Sequence, residues 1–160
     1  PWKTLAEGLG LHETLVEGGV ETSISGRSDG RIVSISEISS ESGVGLRIRV
    51  TFRQAMPSGF RVMKSDANLV SQIRIGNPIL DQSLVTYGRP EQRVRFLIES
   101  DSVMEPLLVF LNECEGGVVR EKCVEMRFLG TVSQKDEIQR RLEMALELVD
   151  ALDGVAASNR

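Results

Sequence analysis

The sequence predicts an α+β domain: an antiparallel β-meander in the N-terminal half, then helices, a β-hairpin and a long C-terminal amphipathic helix. Three observations carry the prediction. Leu46-Arg-Ile-Arg-Val-Thr-Phe-Arg53 alternates apolar and polar residues without a break, the period of a strand with one packed and one wet face. Pro90 and Pro106 each stand where a helix can begin, since a first helical position needs no N–H donor. Ser133-Gln-Lys-Asp136 resembles a capping box and opens a segment in which Ile138, Leu142, Ala145, Val149 and Leu152 step by three and four residues.

Along the chain, Thr4-Leu-Ala-Glu7 suits a short helix that Gly8 and Gly10 stop early. Val20 to Ser25 reads as a strand, Gly26 to Gly30 as a turn, and Arg31 to Ile38 as a second strand. A Ser- and Gly-rich loop, Ser39 to Gly45, precedes the alternating strand. Pro57-Ser-Gly59 makes a turn into another strand, Phe60 to Lys64. Ala67 to Ile75 reads as a short helix or irregular, Gly76-Asn77-Pro78 as a loop, and Leu84 to Tyr87 as a strand closed by Gly88. One helix runs from Pro90 to Ile98 and another from Pro106 to Cys114, ended by Gly116-Gly117. Val118 to Arg120 and Lys122 to Leu129 form a hairpin. The last helix is expected to stop at Gly154, leaving 155–160 as a loose tail. One domain over 1–160 is expected, with a division into two lobes (about 1–75 and 76–154) left open.

Composition narrows the function. The net charge of -4 gives no general attraction to nucleic acid, and aromatic residues at 4% leave little for base stacking. No apolar run approaches the roughly 20 residues that span a bilayer, and Pro1-Trp2-Lys3 lacks the pattern of a secretory signal. The chain has two Cys and one His, too few for a tetrahedral zinc site. Cys114 and Cys123 are expected as reduced, part-buried thiols in a reducing compartment, with a disulfide as the alternative.

Gly26-Arg27-Ser28-Asp29-Gly30 has the form of a hydrolase nucleophile turn, but a β-branched, alternating segment follows it where that turn needs a helix. The only histidine, His12, also precedes the serine. Asp29-Gly30 is therefore read as a hairpin turn and His12 as solvated or hydrogen-bonded. Gly43-Val-Gly45 leads into a strand and holds no phosphate loop. No catalytic, cofactor-binding or metal-binding residue is assigned, and no cofactor is expected.

Arg47, Arg49 and Arg53 are the candidate site, a possible anion or partner surface, because guanidinium forks match carboxylate and phosphate. Arg31 or Arg61 on neighbouring strands can join them. The plainer reading is a solvated face paired with Glu21 and Glu37, from which Arg47→Ala with Arg49→Ala is expected to cost within about 0.5 kcal/mol. Residues 1–75 hold nine Lys/Arg against eight Asp/Glu, so the basic strand sits in a near-neutral half. In the last helix, Leu142→Ala is expected to cost roughly 2–5 kcal/mol if the apolar stripe is core. Asp150 and Asp153 sit badly with the dipole at that helix's end, which hints at a positive partner there.

Ile73-Arg-Ile-Gly-Asn-Pro-Ile-Leu-Asp81, followed by Leu84-Val-Thr-Tyr-Gly88 and preceded by an early Leu5-Ala-Glu-Gly-Leu-Gly-Leu11, resembles a signature of uncharacterised bacterial α+β accessory domains. Asn77 stands where Asp is more frequent. The resemblance spans most of the chain and implies an accessory domain of a kind often adjacent to membrane-spanning helices; it brings no catalytic residue. Without the family, Gly76 supplies a positive φ and Asp81 a cap for a backbone amide.

The expected function is a non-enzymatic protein-interaction or regulatory domain of a bacterium. It is placed in the cytoplasm, or as the soluble part of a membrane-associated protein. A protein partner or self-association is expected, not nucleic acid, with any membrane attachment through a segment outside this chain. The alternative is an enzyme or small-anion binder using the arginine-bearing face.

Overall fold

The computed structural model describes residues 2–158 apart from 12, 18, 19, 42 and 67. From the N-terminus, α1 (Trp2–Leu9) leads to β1 (Glu13–Glu17), β2 (Val20–Ser28), β3 (Arg31–Ser40), β4 (Gly43–Thr51) and β5 (Ser58–Lys64). A short α2 (Pro78–Ser83) precedes β6 (Leu84–Arg89), and α3 (Glu91–Glu99) and α4 (Asp101–Glu113) follow. The chain closes with β7 (Val118–Val119), β8 (Cys123–Leu129) and α5 (Lys135–Ser158). Eight strands form one antiparallel sheet in the order β1-β2-β3-β4-β8-β7-β5-β6. The α+β class, the meander, the hairpin and the long last helix are as the sequence predicts.

Register turns the alternation of single strands into rows. Ile24, Ile35, Ile48 and Met126 stand side by side across four strands. Val33, Val50, Val124, Val119 and Val62 make a second row. All of these are buried, and they share one core with Ile138, Leu142, Ala145, Val149 and Leu152 of α5. Each such side chain contributes about 1.5–3 kcal/mol by leaving water, so the rows hold β8 beside β4 although about 75 residues separate them. Leu142 is buried, which keeps the expected cost of its truncation.

Some local expectations hold and others are corrected. The Asp29-Gly30 turn has φ of 55° and 77°, a two-residue hairpin. Strand β2 continues to Ser28, so Gly26 to Ser28 are not part of the turn. The alternating strand ends at Thr51, leaving Phe52 and Arg53 outside it. Residues 68–75 are irregular, one of the two readings the sequence left open, while Asn77 caps α2 instead of lying in a plain loop.

Two helix boundaries move outward for one reason. α4 starts at Asp101, with Pro106 inside it, because Val103, Leu107, Phe110 and Leu111 all bury on one face of it. That burial outweighs the one backbone hydrogen bond proline removes. α5 runs through Gly154 to Ser158, because Val155 and Ala156 continue the buried stripe. Residues 155–158 are therefore helix, not a loose tail; Asn159 and Arg160 lie outside the described residues.

Candidate functional site

Pairing of β4 with β8 builds the site. Leu46, Ile48 and Val50 of β4 face the core, so Arg47, Arg49 and Thr51 face the other side of the sheet. On that side Ser34, Arg49 and Glu125 stand in one row, continued by Val118 and Met63. Ser36, Arg47 and Arg127 stand in the next. Arg47 and Arg127 are thus directly opposite each other, a like-charge arrangement that destabilises a sheet.

Glu125 lies in the midst of these cations and is only 2% exposed. Its Oε1 accepts a hydrogen bond of 2.5 Å from Arg49 Nε and lies 3.8 Å from Arg47 Nε. Its Oε2 accepts from Arg120 Nη2 at 3.4 Å. Burial alone works to raise the carboxyl's pKa, but the Arg49 hydrogen bond and the charges of Arg49, Arg120 and Arg127 outweigh it. Glu125 is held below the ordinary carboxylate value and stays ionised. One carboxylate cannot neutralise that many guanidinium groups. Arg61 and Arg127 make no ion pair among the described residues, and the open face keeps a positive surplus.

The sequence candidates separate. Arg47 and Arg49 share this face, and Arg61 joins it from β5, facing Tyr87 of β6. Arg53 does not: it lies past the strand end, its Nη1 donating to the Asp29 carbonyl and lying 3.5 Å from the Asp29 carboxylate. Arg31 points to the helix side, where it is 2% exposed and binds Asp153 and Asp150. Asp153 also accepts from the backbone N–H groups of Arg53 and Gln54. The acids near the end of α5 therefore find their positive partner within the chain. Glu37, offered as a partner for the arginines, pairs in register with Leu46 and faces the other way. The side chain of Glu21, like His12, lies outside the described residues.

With Arg49 tied to a buried carboxylate, Arg47→Ala with Arg49→Ala is expected to cost more than the change on a solvated face that the sequence alone suggests. Glu125, Arg120 and Arg127 were missed because their role depends on β8 pairing with β4. The local signal was present: Glu125 and Arg127 sit opposite in phase to Val124 and Met126.

Beside this face the sheet is split. β7 is two residues long and joins β5 to β8 only at Val118 and Val119. Past it a cleft of about 930 Å³ opens between β5, β8 and the end of α4. Arg61, Lys64, Arg120, Arg127 and Arg141 line it, and so do the acids Asp66, Glu113, Glu115 and Glu125. Cys114 borders the cleft, and both it and Cys123 are unbonded thiols. Burial pushes both thiols up despite nearby arginines, the opposite direction from the lowered value that activates a thiol.

The Gly76 to Asp81 run satisfies itself. Gly76 has φ of 95°, and Asn77 Oδ1 accepts from the N–H of Ile79 at 3.0 Å. Asp81 accepts from the N–H of Ile75 at 2.7 Å and of Gly76 at 3.0 Å. Its chemistry is spent on the turn.

The chain matches no family model and no curated protein by sequence. Among solved structures it is similar to the crystal structure of the mycobacterial trehalose monomycolate transport factor A, TtfA. The TM-score is 0.54 at 11% identity, over 96% of this chain and 90% of that one. At that identity the likeness shows the fold alone; the neighbour is a mycobacterial protein. No helix among the described residues is long and apolar enough to cross a membrane.

Proposed function

We propose that the chain is a non-enzymatic protein-interaction or regulatory domain of a bacterium that docks an acidic partner surface on the open, arginine-bearing face of its sheet. The observation that carries this reading is the Arg47–Arg127 pair in register, beside Arg49 and Arg120 on a single buried glutamate. Opposed like charges are a standing cost to the fold, and an acidic surface laid across them removes it. The face is also held in shape before any partner arrives, since Glu125 holds Arg49 and Arg120 by hydrogen bonds and lies 3.8 Å from Arg47 Nε. Such preorganisation lowers the cost of binding. The structural neighbour is named a transport factor, which supports an accessory role over catalysis. The reading treats the chain as one domain, working in the cytoplasm or as the soluble part of a membrane-associated protein.

The cleft beside β7 favours a second reading, a small-anion site using Arg61, Arg120 and Arg127. The two separate by titration. A fluorescein-labelled peptide rich in Glu is expected to bind, weaken with salt, and lose roughly tenfold or more in affinity in Arg47→Glu/Arg127→Glu. Tight binding of inorganic phosphate or citrate, competing with the peptide, would favour the small-anion site. Peptide binding indifferent to the charge reversal would remove the docking reading.

A further inference from the structure

We infer that the outer face of α4, with the adjoining turn of α5, is a docking groove for a basic amphipathic helix of a partner protein. α4 carries two apolar stripes. Val103, Leu107, Phe110 and Leu111 form the one that enters the core. The other consists of Met104 and Leu108, four residues apart and only partly buried, with Val109, which is 43% exposed. Met144 of α5 adjoins it. Two shallow grooves of about 490 and 180 Å³ result, and both include Glu105 and Val109, so they form one track.

Charge selects the occupant. Every charged residue lining the track is acidic: Asp101, Glu105, Glu113 and Glu147. Arg140 reaches to 3.9 Å from Glu113 but is committed to Glu137 by hydrogen bonds of 2.8 and 3.1 Å. An apolar floor with an acidic rim complements a helix with one apolar and one basic face. Length fits as well. α4 has 13 residues, about 20 Å at 1.5 Å per residue, the span of about three to four turns of a partner helix. Methionine side chains suit such a floor because they repack around different apolar anchors. This surface is opposite in charge to the arginine face and lies on a helix pair, so it stands or falls independently of the proposed function.

The test uses the full chain labelled with ¹³C-methyl methionine. Of its five methionines, Met104 and Met144 lie at the groove, Met63 at the cleft, and Met56 and Met126 in the core. A helical peptide of about fourteen residues, Leu on one face and Lys on the other, is expected to shift Met104 and Met144 and leave Met63 and Met126 unmoved. The same peptide with Glu for Lys, and a scrambled Lys/Leu peptide, are expected to shift neither. Glu105→Lys/Glu147→Lys is expected to weaken the Lys/Leu peptide roughly tenfold or more. Silence at both groove methyls, equal shifts with the scrambled peptide, or shifts centred on Met63 would overturn the inference. So would groove shifts that depend on protein concentration without peptide, which would mean that a second copy occupies the track.

Discussion

Glu125 is a carboxylate that the fold keeps ionised out of contact with water, and Arg49 is the residue that makes this possible. Removing the guanidinium leaves a buried acceptor short of its best donor. Arg49→Ala is therefore expected to cost about 1–3 kcal/mol in chemical denaturation, several times the cost of an exposed arginine. The pH dependence follows from the lowered pKa. A folded-state value below the ordinary 4.5 means that the contribution of Glu125 is complete above about pH 4.5 and is lost as the pH falls through the lowered value. Denaturation midpoints of Glu125→Gln are expected to fall less than those of the natural chain on acidification below that point. A parallel fall in the two would show that Glu125 titrates as it does in the unfolded chain. None of this was legible from Arg47 and Arg49 alone, since their counter-charge lies about 75 residues away.

Helix boundaries show where local rules stop. Gly154 is a natural stop by its lack of a side chain, yet α5 passes through it because Val155 and Ala156 still have core to fill. A Cβ at 154 would meet nothing within 4 Å. Gly154→Ala is thus expected to raise stability by up to about 1 kcal/mol, the helical penalty of glycine, seen as a rise in thermal midpoint. A loss of stability would restore the helix end at that residue. Pro106 carries the same lesson, read as a start when the stripe from Val103 to Leu111 decides the helix. Elements with strong periodicity, β4 and α5, were legible in the chain. Those set by tertiary burial or capping, the first turn of α4 and all of α2, were not.

At the scale of the molecule, one sheet face is sealed by helices and the other offers arginines from β4, β5 and β8. Which arginines share that face is a matter of strand order, and β4 beside β8 is a non-local pairing that alternation cannot announce. Arg53 and Arg31, equally basic in sequence, fall to the sheet's end and its buried side. The opposed Arg47 and Arg127 imply a trade between stability and binding. Arg127→Ser is expected to gain about 0.2–1 kcal/mol while weakening the acidic peptide, and a variant that loses both would sever that link. The most direct measurement places a photo-cross-linking residue at Ser36, beside Arg47 on the open face, in cells carrying the natural gene. Docking on this face is expected to give cross-links to an acidic segment of a protein partner, lost when Arg47 and Arg127 are both changed to Glu. Cross-links of equal strength in the two forms, or none from the natural face, would contradict it.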